Sequence, residues 1–300
     1  MRPVLCLTAA VALLTACAVA PSESSTAAEV VISNRIIANR IIANRIIANR
    51  IIANRLSAHR MTVNMNTAGE LLKTDDGREV FSLIVGCALA DDVTLTATVD
   101  GTDFEFFGEL GLAPQWLHDR LDRVGQGWVS ACMFSRVNGH QVAIPISLRG
   151  PSQALDVSDD EREEWSLQEG AFFGNFFGRL DRPLQWFACR GRDLAKGEAG
   201  SLAERDCAKP DPANPGFTLC GMAFAGDCGS FAADPVCESF SKHGTFYRQC
   251  HTAPIQHHRG HGRHDRDARD PDEDFDEAVA SSDARGVRVF DQVITTFVTP

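Results

Sequence analysis

Sulfur and imidazole are the reactive groups this chain carries in number, with ten cysteines and nine histidines. Cys6 lies inside an apolar N-terminal run and Cys17 closes it. The other eight are Cys87, Cys132, Cys189, Cys207, Cys220, Cys228, Cys237 and Cys250. An even number of thiols in an exported chain argues for disulfides, up to four of them. Eight cysteines allow about 105 pairings, so spacing does not give the connectivity. Cys87 with Cys132 is the pair expected in the N-terminal half, with the remaining six pairing among themselves. Cys220, Cys228, Cys237 and Cys250 contain no C-x-x-C step, which argues against a structural zinc site. The even count argues equally against a free catalytic thiol.

The imidazoles concentrate at His251, His257, His258, His261 and His264, followed by Asp265 and Asp267. That composition could hold a divalent metal. Arg259, Arg263 and Arg266 would oppose a cation there, and the bland alternative is a solvated linker. No H-E-x-x-H, G-x-S-x-G or phosphate-binding glycine loop occurs, so no catalytic residue and no cofactor is assigned. Asp227, between Gly226 and Cys228, is the acid best placed to be held by a disulfide loop, or else a turn residue. Asp159-Asp160-Glu161 with Glu163-Glu164 reads as a solvated helix start. Phe172, Phe173, Phe176 and Phe177 around Gly174 read as core packing, with an aromatic ligand platform as the functional alternative.

The N-terminus supplies a different chemistry. Arg2 precedes an apolar run from Val4 to Leu14, too short to cross a bilayer core of about 30 Å. The run ends in Leu14-Thr15-Ala16-Cys17, which looks like a lipobox. Residues 1–16 are then a removable signal and Cys17 the site of lipidation, including palmitate-type acyl chains. Each buried methylene adds about 0.8 kcal/mol, so an acylated chain stays in the membrane. Ala18 in place of Asp points to the outer membrane. Ordinary cleavage, with Cys17 as a plain thiol, is the alternative. No later stretch has about eighteen consecutive apolar residues.

Charge divides the chain. Residues 18–60 hold six Arg against two Glu, and residues 61–300 hold 22 Lys plus Arg against 38 Asp plus Glu. An acidic body excludes nucleic acid as the natural partner. Between the two regions, residues 36–55 are four identical copies of Ile-Ile-Ala-Asn-Arg, flanked by decayed copies at 31–35 and 56–60. A period of five keeps no constant apolar face on a helix and flips faces on a strand. A pentapeptide β-helix would bury Arg40, Arg45 or Arg50 at a cost. A tether at residues 17–60 that grew by duplication is the favoured reading, with the arginines free to rest on anionic headgroups.

The elements that must position these groups read as an α+β fold, a disulfide-stabilised mixed domain with a cysteine-rich C-terminal half. Residues 61–155 form a mixed α/β unit. Within it, Glu79 to Leu89 is a buried element and Val93 to Val99 a half-buried strand. Asp100-Gly101 is a hairpin turn and Phe104 begins the return strand. A helix is predicted from Ala113-Pro114 through Leu121, a second apolar segment from Trp128 to Val137, and a strand from Gln141 to Leu148. Pro145 in that strand implies an edge or a bulge. Residues 156–250 form an aromatic and cysteine-rich unit. Residues 251–286 read as disordered, and residues 287–300 as a final strand.

Glu70-Leu71-Leu72, Ser82 to Leu89, Gly111-Leu112-Ala113-Pro114, Trp128 to Cys132, Glu169 to Asn175, and Leu219-Cys220-Gly221 with Gly226-Asp227-Cys228 together resemble a set of uncharacterised exported, cysteine-containing lipoproteins of myxobacteria-like bacteria. The resemblance implies location and a cysteine framework, and no catalytic residue. The expected function is that of a membrane-anchored cell-envelope protein, non-enzymatic, binding an extracellular or envelope protein or a glycan. A secreted hydrolase with an unfamiliar site and a periplasmic divalent-metal-binding protein are the alternatives.

Overall fold

The computed structural model describes residues 35–38, 72–119, 121–137, 144–177, 185–239, 246–252 and 287–300, the first of these as backbone only. Residues 1–16, read above as a signal, Cys17, the repeat copies beyond Ala38, and His257, His258, His261 and His264 lie outside them. The described residues all fall in one compact unit.

Four helices and thirteen strands occur among the described residues. Helix α1, Asp75–Ala88, starts because Thr74 accepts a hydrogen bond from Gly77 N on its Oγ1, at 3.0 Å, while Asp75 and Asp76 sit in the positive first turn. Its second half is buried on nearly every side, which is why the sequence there carries no polar stripe. Helix α2, Arg123–Ser135, is capped in the same way by Asp122, whose Oδ1 accepts from Gly125 N at 2.7 Å. The Cys87–Cys132 disulfide staples α1 to α2. Short helices α3, Asp159–Glu164, and α4, Arg192–Lys196, follow.

The strands are β1 Arg35–Ala38, β2 Thr94–Val99, β3 Thr102–Phe107, β4 Ile144–Arg149, β5 Leu167–Asn175, β6 Gln185–Arg190, β7 Pro210–Asp211, β8 Asn214–Thr218, β9 Ala223–Asp227, β10 Cys237–Ser239, β11 Tyr247–His251, β12 Val289–Phe290 and β13 Val293–Val298. Eight of them make one sheet in the order β1-β4-β13-β5-β6-β9-β8-β7. The C-terminal strand β13 is therefore central, antiparallel to both β4 and β5. Only β6 and β9 pair in parallel among these strands. β10, β11 and β12 form a small second sheet, and β2 and β3 a separate hairpin.

β5 has both faces covered, and alternation sends its aromatics to opposite sides. Phe172 joins the large core with α1 and α2, while Phe173 joins a second core that contains Cys189, Cys228, Cys237 and Cys250. Phe172, Phe173 and Phe176 are fully buried, so the aromatic run is core packing and not an open platform. Ser130 of α2 locks the helix layer to β5: its Oγ donates to Gln126 O at 2.6 Å and accepts from Phe176 N at 2.8 Å. A buried Arg149 pins α3 to the sheet by donating to Trp165 O at 2.5 Å while its guanidinium lies 3.7 Å from the Phe297 ring centroid. Burial brings its pKa down to about 10, partly offset by Glu161. It stays charged at neutral pH.

One element departs from the sequence expectation. The helix predicted from Ala113 to Leu121 is a single 3-10 turn, Pro114–Leu117. Ala113 has no side chain to cap it, and Asp122 must leave helical geometry to cap α2, so the chain cannot continue as one helix. The stretch that begins at Gly150 is polar. It contains a 3-10 turn at Gln153–Leu155 and the start of α3. Asp159, Asp160 and Glu161 lie in the first turn of α3 behind the Ser158 cap, so the acidic run is a helix start, but not a wholly solvated one, because Glu161 is buried.

Pro145 is explained by register. It lies opposite Ile37 of β1, and β13 reaches only as far as Ser147 of β4. A proline fits a non-hydrogen-bonded position toward β1, with its nitrogen turned to a side where no strand needs a donor.

Backbone geometry makes glycine obligatory at two places. Asp100 and Gly101 have φ of +51° and +79°, as the tight β2–β3 turn requires. Gly174 has φ of +138°, and a Cβ there would meet Gln185 O at 2.2 Å. Gly174→Ala is expected to lose about 1–3 kcal/mol through forced backbone shift, read as a lower urea midpoint with an unchanged slope.

Candidate functional site: a bulge carboxylate and a sulfur cluster

β5 carries a charged residue where an apolar one would be expected. Thr296 of β13 pairs with Gly170 and the next residue, Phe297, pairs with Gln168, so Glu169 is the extra residue of a β-bulge. Bulges re-aim side chains, and they recur beside functional groups. Glu169 is held by Arg205, which donates from Nε to Oε1 at 3.1 Å and from Nη2 to Oε2 at 2.9 Å. Both side chains are 0% exposed. Thr296 Oγ1 donates to Glu169 Oε2 at 2.7 Å, and Arg205 Nη2 also donates to Ser135 O at 2.9 Å. Arg205 Nη1 is buried with no partner among the described residues. The carboxylate is thus fully engaged, and it could take up a proton only by breaking a bidentate ion pair.

A second polar group lies one residue earlier. Gln168 N donates to Asp193 Oδ2 at 2.8 Å, and Gln168 Oε1 accepts from Arg192 N at 3.0 Å and from the Tyr247 hydroxyl at 3.1 Å. Burial pushes the Tyr247 hydroxyl up to about 12. Burial alone would raise the Asp193 pKa, but hydrogen bonds from Arg192 and Gln168 N outweigh it and hold the carboxyl below its usual 3.8. Asp193 therefore contributes stability that is complete above 3.8 and is lost as pH falls through its depressed native value. Asp193→Asn is expected to flatten this acid limb, checked by denaturant titrations from pH 6 down to about 2.

The sulfurs form the densest chemistry. Cys189 is joined to Cys228, Cys207 to Cys220 and Cys237 to Cys250, in addition to the expected Cys87–Cys132 pair. Two of these bridges touch, with Cys189 Sγ 3.4 Å from Cys237 Sγ. The sulfurs of Cys189, Cys237 and Cys250 lie within 4.8 Å of one another, close enough to share one soft ion if they were thiolates. As disulfides they offer no thiolate. Their surroundings, Ala171, Phe173, Ala225, Val236 and Phe290, are apolar and would leave a metal–thiolate charge uncompensated.

Other sequence candidates resolve singly. Asp227 receives a bidentate hydrogen bond from Arg190, Nε to Oδ1 at 2.7 Å and Nη2 to Oδ2 at 3.0 Å, tying parallel β6 to β9. This is a structural use of the residue. His251 is half-buried on β11, its Nε2 has no partner among the described residues, and burial lowers its pKa against the pull of Glu238 and Asp291. The other four histidines of the tract lie outside the described residues.

No family model, curated protein or solved structure matches the chain. Function therefore has to be argued from the geometry. The Glu169–Arg205 pair is the feature that sequence reading missed. The available signal was a charged residue inside Leu167-Gln168-Glu169-Gly170-Ala171-Phe172-Phe173, where burial demands a partner. Nothing local identified Arg205 as that partner.

Proposed function

We propose that the chain is an exported cell-envelope lipoprotein, anchored through Cys17, whose disulfide-stabilised body serves as a non-enzymatic binding or structural module. The observation that carries this reading is the pairing of all eight cysteines between Cys87 and Cys250 into four bridges. Such bridges persist in oxidising compartments and are rare where thiols are kept reduced. The lipobox-like Leu14-Thr15-Ala16-Cys17 adds the anchor. Among the described residues no helix is long and apolar enough to cross a membrane.

The non-enzymatic part of the reading rests on how two of the buried acids are used, while a third, Glu161, keeps a buried oxygen without a partner among the described residues. Glu169 and Asp193 are each engaged by cationic side chains and by further hydrogen bonds. Partner binding has a candidate surface in Phe217 and Leu219, which are 42% and 41% exposed beside β8.

Mass spectrometry of the protein extracted from its membrane tests the anchor. The expected N-terminal peptide starts at Cys17 and carries a diacylglycerol thioether. A peptide starting at Met1, or at an unmodified Cys17, refutes the reading. Cys17→Ser is expected to shift the protein out of the membrane fraction or leave it as an uncleaved precursor.

A further inference from the structure

The two bridges of the second core touch through one sulfur of each. Cys189 Sγ of the Cys189–Cys228 bridge lies 3.4 Å from Cys237 Sγ of the Cys237–Cys250 bridge. Cys189 and Cys237 are thus the inner sulfurs, and Cys228 and Cys250 the outer ones. Backbone hydrogen bonds hold this contact in place. Cys237 N donates to Cys228 O at 2.7 Å and Val236 N to Asp227 O at 3.0 Å, lacing the approach to β10 onto the chain that leaves β9. Each bridge stays within one sheet. Cys189 is in β6 and Cys228 follows β9, whereas Cys237 and Cys250 face each other across β10 and β11. A bridge between the inner sulfurs would join the two sheets instead.

We propose that these four cysteines form one thiol–disulfide exchange centre, which takes two electrons from a dithiol reductant and keeps a single Cys189–Cys237 bridge. A reductant thiolate attacks Cys250 Sγ, the Cys237–Cys250 bond breaks, and Cys237 leaves as a thiolate. Cys237 Sγ then attacks Cys189 Sγ, forming the inner bridge and expelling Cys228. The separation of 3.4 Å is already a reacting distance, so this step needs no travel. The reductant's second thiol closes on its own mixed-disulfide sulfur and expels Cys250. Cys228 and Cys250 take up the two protons that the dithiol gave up, and the reductant ends as a disulfide. Entry at Cys228, with Cys189 attacking Cys237, gives the same product.

Two features favour the inner bridge once reduction begins. It closes a separation of 48 residues, against 39 and 13 for the bridges it replaces, so it restricts the unfolded chain more than either. The apolar surroundings also disfavour a lingering thiolate, which drives a freed inner sulfur onto the neighbouring bridge. All four cysteines are at most 2% exposed. A reductant therefore reaches them only when the fold opens locally, and β10, three residues long and at the edge of its sheet, is the element to open first.

Stepwise addition of dithiothreitol to the full, oxidised chain tests this, with acid quench, alkylation and peptide mapping by mass spectrometry. The informative molecules carry alkyl groups on two of the four cysteines. The expected form has Cys228 and Cys250 alkylated and a linked 189–237 peptide, in at least about a tenth of those molecules. A smaller share, with 189–228 or 237–250 as the surviving bridge, overturns the proposal. Cys250→Ala gives a second readout without reductant, because it leaves Cys237 as a thiol beside the Cys189–Cys228 bridge. Alkylation is expected to divide between Cys237 and Cys228, and alkylation of Cys237 alone overturns the proposal. Neither measurement depends on lipid, and failure of either leaves the four bridges of the functional reading in place.

Discussion

Arg205→Met is expected to destabilise the body by about 3–5 kcal/mol, the largest effect of any single substitution considered for this protein. The guanidinium is 0% exposed and is the only cation within ion-pair distance of the equally buried Glu169 among the described residues. Removing it leaves a carboxylate with one hydroxyl donor, Thr296, in a dry interior. Glu169→Gln should cost less, because a neutral amide can still accept from Arg205, although the cation is then unpaired. Replacing both residues together, Glu169→Leu with Arg205→Met, should recover much of the loss, since a buried ion pair adds little beyond a well-packed apolar pair. Urea denaturation of the four proteins closes the cycle. Additive losses in the double variant would show that the two side chains are not energetically paired.

Removing disulfides is the second large effect, and its size should follow the length of chain each bridge spans. Cys87–Cys132 closes a separation of 45 residues and Cys207–Cys220 one of 13. Chain entropy then assigns about 4 kcal/mol to the first and about 3 kcal/mol to the second. Cys87→Ala with Cys132→Ala is accordingly expected to lower stability about 1 kcal/mol more than Cys207→Ala with Cys220→Ala. The first pair also joins α1 to α2 beneath the main sheet, so its loss adds a cavity between helices that are buried along most of their length. Equal losses for the two double variants would mean that native-state strain or residual structure, rather than loop closure, sets the contribution of these bridges.

Local chemistry was legible in the sequence and long-range pairing was not. Asp100-Gly101 announced the β2–β3 hairpin because the turn demands two residues that tolerate positive φ, and those demands are met within two positions. The alternation at 287–300 announced a last strand, but nothing in Val293–Val298 says that it inserts between β4 and β5. That choice is made by partners more than a hundred residues away. The same holds for the sulfurs. An even cysteine count in an exported chain implies bridges, while the Cys189–Cys228 and Cys237–Cys250 pairs become apparent only once β6, β9, β10 and β11 are placed together.

The helix read from Ala113 to Leu121 came out too long because apolar spacing in Trp116, Leu117 and Leu121 outweighed the capping role of Asp122. For the candidate site, Asp227 was noticed for its place beside Cys228, and its partner Arg190 is again a distant residue. Glu169 was hidden in the opposite sense. Its bulge is a property of pairing with β13 and has no signature in the strand's own sequence.

The proposed compartment and the stability of the fold both depend on the oxidation state of the eight cysteines in the native protein. Protein isolated from its own cells under acid quench, alkylated without reduction and digested, gives the answer by mass spectrometry. The expected result is no alkylated cysteine among the eight and four linked peptide pairs, 87 with 132, 189 with 228, 207 with 220 and 237 with 250. Eight alkylated thiols, or a metal released on their alkylation, would contradict both the proposed export and the source of the fold's stability.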